Sequence, residues 1–108
     1  MEDKKALRYN EGKRRWTLVD FKSLESMVEV LEYGENKYDK WNWMKGMPVS
    51  EVSESLLRHM FAFLDGEDKD PESGVDHLGH IMSNAMFLSY IMREKSHYDD
   101  RSRETTTN

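Results

Sequence analysis

Residues 76–94, DHLGHIMSNAMFLSYIMRE, constrain the fold most, because apolar residues recur there at helical spacing while three polar side chains share their face. At 100° per residue, His77, His80 and Asn84 fall within about 60° of one another, on the side that also carries Phe87, Leu88 and Ile91. An imidazole or amide on such a face needs a partner, since burying one without a hydrogen bond costs about 1–3 kcal/mol. The helix therefore requires neighbours that supply polar partners as well as apolar surface. Its other side, with Gly79, Ser83, Met86 and Tyr90 at spacings of four, three and four, pairs small residues with large ones. Small residues let a second helix approach closely, and this stripe is predicted to be a subunit contact.

Two further helices are predicted. Over 20–33, Phe21, Leu24, Met27, Val28 and Leu31 form an apolar stripe, with Asp20 as N-cap and Gly34 at the end. Glu25, Glu29 and Glu32 beside it read as an acidic surface flank. Over 50–65, Val52, Leu56, Met60 and Phe63 share a face, His59 sits at its inward edge, and Gly66 is the stop. Glu54 and Arg58 are spaced for an ordinary surface pair. The pattern gives an all-α fold of three main helices plus short helical turns. Residues 1–95 read as one domain and 96–108 as a polar, disordered tail.

Composition narrows the function classes. The formal net charge is −5, which argues against general nucleic-acid binding. Residues 1–15 nonetheless carry a local +3, with Lys13, Arg14 and Arg15 following the turn Asn10-Glu11-Gly12. The chain has no cysteine, so thiolate metal sites and a Cys nucleophile are excluded. The longest apolar run is far short of a membrane span, and no signal-peptide pattern is present; a cytoplasmic protein is expected.

Two loops add chemistry. In 34–48, Tyr38, Trp41 and Trp43 alternate with lysines and Asn42, a mixture suited to stacking on a nucleobase, although the same aromatics could simply cover a small core. In 66–76, Glu67, Asp68, Asp70, Glu72 and Asp76 crowd a turn-rich link between two helices, with Asp70 before Pro71 a fair N-cap for a short turn. A single inward histidine is usually a hydrogen-bonded core residue. Two on one helix, a third on its neighbour and an acidic loop between them suit a divalent metal or an acid and base pair.

The ordered motifs NEGKRRWTL, KYDKWNWMKG and RHMFAFLDGEDKDPESGVDHLGHIMSNAMFL resemble the dATP/dGTP diphosphohydrolase family, a MazG-like group of phages and bacteria. The residues that carry the resemblance are Gly12 and Lys13; Lys37 and Tyr38; Asn42, Trp43 and Gly46; Arg58 and His59; Gly66 and Glu67; Asp70; Glu72, Ser73 and Gly74; His77 and His80; and Asn84. The resemblance spans roughly residues 9–92. It implies a compact MazG-like helical bundle that assembles into a homo-oligomer, and cleavage of purine deoxynucleoside triphosphates to the monophosphate and pyrophosphate with Mg²⁺ or Mn²⁺, in nucleotide-pool control. His77 and His80 stand where better-known MazG enzymes carry their second acidic pattern, which also admits Co²⁺ or Zn²⁺.

On that reading Glu54, Asp70, Glu72, His77 and His80 are the expected metal ligands. Glu72, His59 and Arg58 are the expected catalytic groups, with His59 acting as a base or behind the ligands. Lys13, Lys37 and Arg58 would meet phosphates, and Tyr38, Asn42, Trp43 and Asn84 would frame base and sugar. No nucleic acid or membrane partner is expected, and the host cytoplasm is the expected setting if the chain is phage-encoded. The alternatives are another metal phosphohydrolase, such as an HD-type enzyme, or a non-catalytic nucleotide-binding or assembly module. The only adjacent acid–histidine pair, Asp76-His77, has the reverse of the HD order.

Overall fold

The helix that carries the polar trio is the one the other two share. A computed structural model of the chain describes residues 3–102. The helices are α1 (Glu25–Lys37), α2 (Val49–Leu64) and α3 (His77–Glu94), with short 3-10 turns at Trp16–Leu18, Phe21–Leu24, Asn42–Lys45 and Ser96–Tyr98. Helix α3 packs against both α1 and α2. The described residues contain no β-strand, only an isolated bridge between Lys69 and Asp76, as an all-α chain should. No helix among them is long and apolar enough to cross a membrane.

The core is small and lies between α2 and α3. Val49, Val52 and Ile91 are buried, and Met47, Phe87, Leu88 and Tyr98 close around them. Tyr98 belongs to the stretch 96–108 expected as a tail. Of that stretch, residues 96–102 are described, and 103–108 lie outside the described residues. Asp100, also from this stretch, accepts hydrogen bonds from the backbone N–H of Ser50, at 2.9 Å, and from its hydroxyl. It thereby satisfies an orphan donor at the start of α2. The Ser50 hydroxyl and N–H hold the Asp100 carboxyl below its usual range.

Helix α2 ends as predicted. Gly66 takes a φ of +97°, and its N–H bonds to the Phe63 carbonyl while the Glu67 N–H bonds to that of Ala62. This paired closure is a Schellman motif and needs a residue free of left-handed strain. It also fixes the direction in which Glu67 leaves the helix. Helix α1 differs from expectation at both ends. Asp20 opens a 3-10 turn, and the α-helix begins only at Glu25. Gly34 does not stop it, because one glycine in a helix costs only about 1 kcal/mol; the helix runs to Lys37 and ends where Tyr38 becomes extended.

The face of α1 is also turned from the predicted stripe. Val30 is its buried residue, whereas Phe21 is 67% and Val28 48% exposed. The small-residue stripe of α3 explains the rotation. Gly79 and Ser83 are buried. A Cβ built on Gly79 would stand 2.4 Å from the Ser26 carbonyl oxygen, and the Ser83 hydroxyl donates to the Met27 carbonyl at 3.3 Å. The stripe predicted as a subunit contact is thus the seat of α1 within the same chain, since glycine lets the two backbones touch. Gly79→Ala is expected to destabilise the fold by about 1–3 kcal/mol despite alanine's better helix propensity. Urea unfolding measures this, and a stability equal to or above wild type would show that α1 does not seat there.

Candidate functional site

Because α1 and α2 both lean on α3, an open cleft of about 790 Å³ remains between them. Val28 to Lys37 on one wall, Ser55 to Ala62 on the other, and His77, His80 and Phe87 of α3 line it, with Tyr38 to Trp43 across one end. A volume of this size suits a nucleotide-sized ligand.

His77 is the most enclosed polar group there, at 2% exposure. Its Nε2 lies 2.7 Å from Glu67 Oε1 and its Nδ1 2.8 Å from His59 Nδ1. A carboxylate accepts only, so Nε2 carries the proton and Nδ1 presents a lone pair. His80 stacks on His59 with ring centroids 4.2 Å apart and places Nε2 at 2.7 Å from the Ser73 hydroxyl and 4.0 Å from Asp70 Oδ2. The Ser73 N–H donates to that same Asp70 oxygen at 2.8 Å. One atom each from His59, Asp70 and His77 lie within 4.8 Å of one another, a constellation able to hold a metal ion.

Local sequence explains the placement. Asp70 closes a tight turn in which Gly74 N–H bonds back to its carbonyl and its own N–H bonds to Val75, while His77 N–H bonds to the Asp68 carbonyl. The acidic loop is thereby folded onto the first turn of α3. Burial lowers the His59 pKa, neighbouring His80 and His77 lower it further, and Asp70 only partly offsets them. Burial likewise lowers His80. Burial pushes the Asp70 carboxyl up, yet the Ser73 hydrogen bonds and the nearby histidines bring it below the usual carboxylate range. These shifts favour neutral His59 and His80 beside an ionised Asp70 carboxylate.

The other predicted residues divide. Lys37, Tyr38, Asn42, Trp43 and Arg58 line the cleft. Glu72 does too, but its Oε1 is held by Lys37 Nζ at 2.8 Å and by the Tyr33 hydroxyl at 3.2 Å. Lys37 keeps the Glu72 carboxyl low, and Glu72 raises Lys37 in turn. Asn84 is buried and donates to the Ser55 hydroxyl at 3.2 Å, behind the cleft wall. Glu54 and Lys13 are exposed and do not line the cleft. Glu54 faces outward on α2, and Lys13 sits in an arm whose residues 3–23 are all exposed. Among the described residues the Glu54–Arg58 pair does not form, leaving Arg58 exposed at the cleft wall.

The aromatic loop splits in two. Trp43 stacks on Phe87, with centroids 5.0 Å apart, and meets Tyr90 edge-on. Trp41 is 56% exposed and held at φ +66°, with Lys40 Nζ 5.4 Å from its ring centroid. A bulky residue in the left-handed region is strained, and such strain is often kept at ligand sites.

A family model described as the dATP/dGTP diphosphohydrolase N-terminal domain matches residues 3–101. The chain belongs to this family. A curated relative named dATP/dGTP diphosphohydrolase, from Salmonella phage PMBT28, is 30% identical over 95 residues. That alignment takes in 88% of this chain and 32% of the relative, so the chain spans about a third of the relative's length. No solved structure matches.

Of the residues that carried the resemblance, His59, Glu67, Asp70, Ser73, His77 and His80 meet in one cluster. Its titration has a measurable consequence in chelator-treated protein. Unfolded histidines take up protons near their ordinary value of 6.5, and folded His59 and His80 only at lower pH. The unfolded state therefore holds more protons in that window, so stability is complete above about pH 6.5 and falls as pH drops below it. Thermal unfolding should give a lower Tm at pH 5.5 than at pH 7.5, with a shallower slope in His80→Gln. A Tm that rises on acidification would contradict the folded environment of these imidazoles.

Proposed function

We propose that this chain hydrolyses purine deoxynucleoside triphosphates of the dATP and dGTP kind to the monophosphate and pyrophosphate, using a divalent cation. The observation that carries the reading is the convergence, in one nucleotide-sized cleft, of the His59–Asp70–His77 cluster with Arg58, Lys37 and an aromatic loop. The name of the phage relative supports the substrate class. A bound divalent ion would supply charge neutralisation at the phosphate oxygens and acidify a water molecule.

The chain's own residues do the rest. Arg58 and Lys37 meet the triphosphate, and Lys37 gives up Glu72 as phosphate oxygens replace that carboxylate. Glu72 then stands free at the cleft to accept a proton from the attacking water. Water attacks at phosphorus, the α–β phosphoanhydride bond breaks, and pyrophosphate leaves with the bridging oxygen. Tyr38 and Asn42 frame base and sugar, Trp43 stiffens that wall through Phe87, and Asn84 steadies it through Ser55. Lys13 and Glu54 receive no role within a single chain.

Assembly into a homo-oligomer belongs to the same proposal. Leu57, Phe61 and Leu64 are 46%, 62% and 69% exposed and recur at helical spacing on α2. Unpartnered apolar surface of that kind favours self-association.

Incubating a panel of dNTPs and NTPs with Mg²⁺ or Mn²⁺ and resolving the products by ion-exchange chromatography tests the reaction. Deoxynucleoside monophosphate and pyrophosphate are expected, with dATP and dGTP preferred. Glu72→Ala and His77→Ala should lower kcat/KM by about 100-fold or more, and Glu54→Ala should leave it unchanged. Release of inorganic phosphate or triphosphate would favour an HD-type reaction, and binding without turnover a nucleotide-binding module. Either result would overturn the proposal.

A further inference from the structure

The arrangement around His77 says more than that a divalent ion can fit. Two imidazole nitrogens approach to 2.8 Å, and one of them belongs to a ring whose other nitrogen is fixed by a carboxylate. Two nitrogens bound at about 2.1 Å to one ion lie about 3 Å apart at right angles and about 3.4 Å apart at the tetrahedral angle. The 2.8 Å separation is that of a hydrogen bond, so an ion entering between the two nitrogens takes the place of their shared proton and spreads them by a few tenths of an ångström. The carboxylate–histidine pairing is what tunes metal-ligating imidazoles elsewhere, since it fixes the tautomer and raises ligand basicity.

The ligand types matter as much as the spacing. Magnesium takes oxygen ligands and keeps much of its water, whereas imidazole nitrogen suits zinc, cobalt and their neighbours. Of the acids expected as ligands, Glu54 does not line the cleft and Glu72 is engaged with Lys37 and Tyr33. His80 turns its Nε2 to Ser73. What remains is one nitrogen each of His59 and His77 and one Asp70 carboxylate oxygen, all within 4.8 Å of one another.

We propose that His59 Nδ1, His77 Nδ1 and the Asp70 carboxylate form a nitrogen-rich site that binds a transition-metal dication of the zinc and cobalt class in preference to magnesium, without nucleotide. Glu67 is its positioning residue: it holds the His77 Nε2 proton and so aims the Nδ1 lone pair at the ion. Ser73 plays the same part for Asp70 through its N–H. This deepens the proposed hydrolysis and rests on it for biological meaning, yet the binding itself does not require that any nucleotide be cleaved.

The test uses the metal-stripped chain with no nucleotide present. Isothermal titration should show one Zn²⁺ or Co²⁺ per chain, bound at least about 100-fold more tightly than Mg²⁺, the direction set by ligand type. Asp70→Asn and His59→Ala should each abolish most of that affinity. Glu67→Ala should weaken it about 10- to 100-fold, while Glu67→Gln, which keeps an acceptor for the His77 proton, should restore most of it. His77 is buried and its replacement could disturb folding, so the wild-type protein supplies a second readout. On Zn²⁺ addition, the ¹⁵N resonances of His59 and His77 Nδ1 should move to metal-bound positions, and those of His80 should not.

Magnesium binding as tight as zinc, or unchanged zinc affinity in Asp70→Asn and His59→Ala, would overturn the site. So would a His59–His77 pair that keeps its shared proton in the presence of metal, which would make it a hydrogen-bonded acid and base pair. Tight zinc binding without nucleotide turnover would leave the site intact and remove only the proposed hydrolysis. Hydrolysis supported by magnesium without zinc binding would do the reverse.

Discussion

Buried His77 is the node on which the arrangement depends. Its ring contacts His59 on α2 and Glu67 just beyond that helix, and its backbone N–H is held by Asp68. An imidazole at 2% exposure with either partner missing would leave a polar nitrogen unsatisfied, at a cost of about 1–3 kcal/mol. Satisfying both nitrogens requires the acidic loop to fold back over the start of α3. The histidine cluster and the connection between two helices are consequently one structure.

The second constraint acts on the other side of α3. Gly79 and Ser83 bring α1 so near that its backbone touches the helix, while bulkier Phe87, Leu88 and Ile91 hold α2 through the apolar core. The cleft between α1 and α2 opens where α3 forms its floor. Small side chains on one face and large ones on the other therefore shape the space, and the imidazoles sit at its base.

Much of this was legible in the helical period. Phase alone pointed His59, His77 and His80 inward, and it located α2 and α3 to within a residue or two. It failed where contact between elements decides. The stripe containing Gly79 looked like a surface for another subunit because spacing cannot say which helix approaches. Val30 was missed and Val28 misplaced because the turn of α1 about its axis is set by Ser26 and Met27 meeting α3. That His59 meets His77 needed a 2.8 Å distance between two helices, which no single helix contains.

The loops show the same division. Sequence supplied the inventory of carboxylates in 66–76 but had no period with which to aim them, and only the folded turn sends Asp70 to the histidines and Glu72 to Lys37. Likewise Trp41 and Trp43 read alike until one is stacked on Phe87 and the other left exposed. The sequence by itself determined three amphipathic helices, the inward facing of the histidines, and the family to which their motifs belong. Tertiary structure alone decided which carboxylates and imidazoles share a point in space. Helical phase is a local property of the backbone, whereas that meeting depends on how closely α1 and α2 pack against α3.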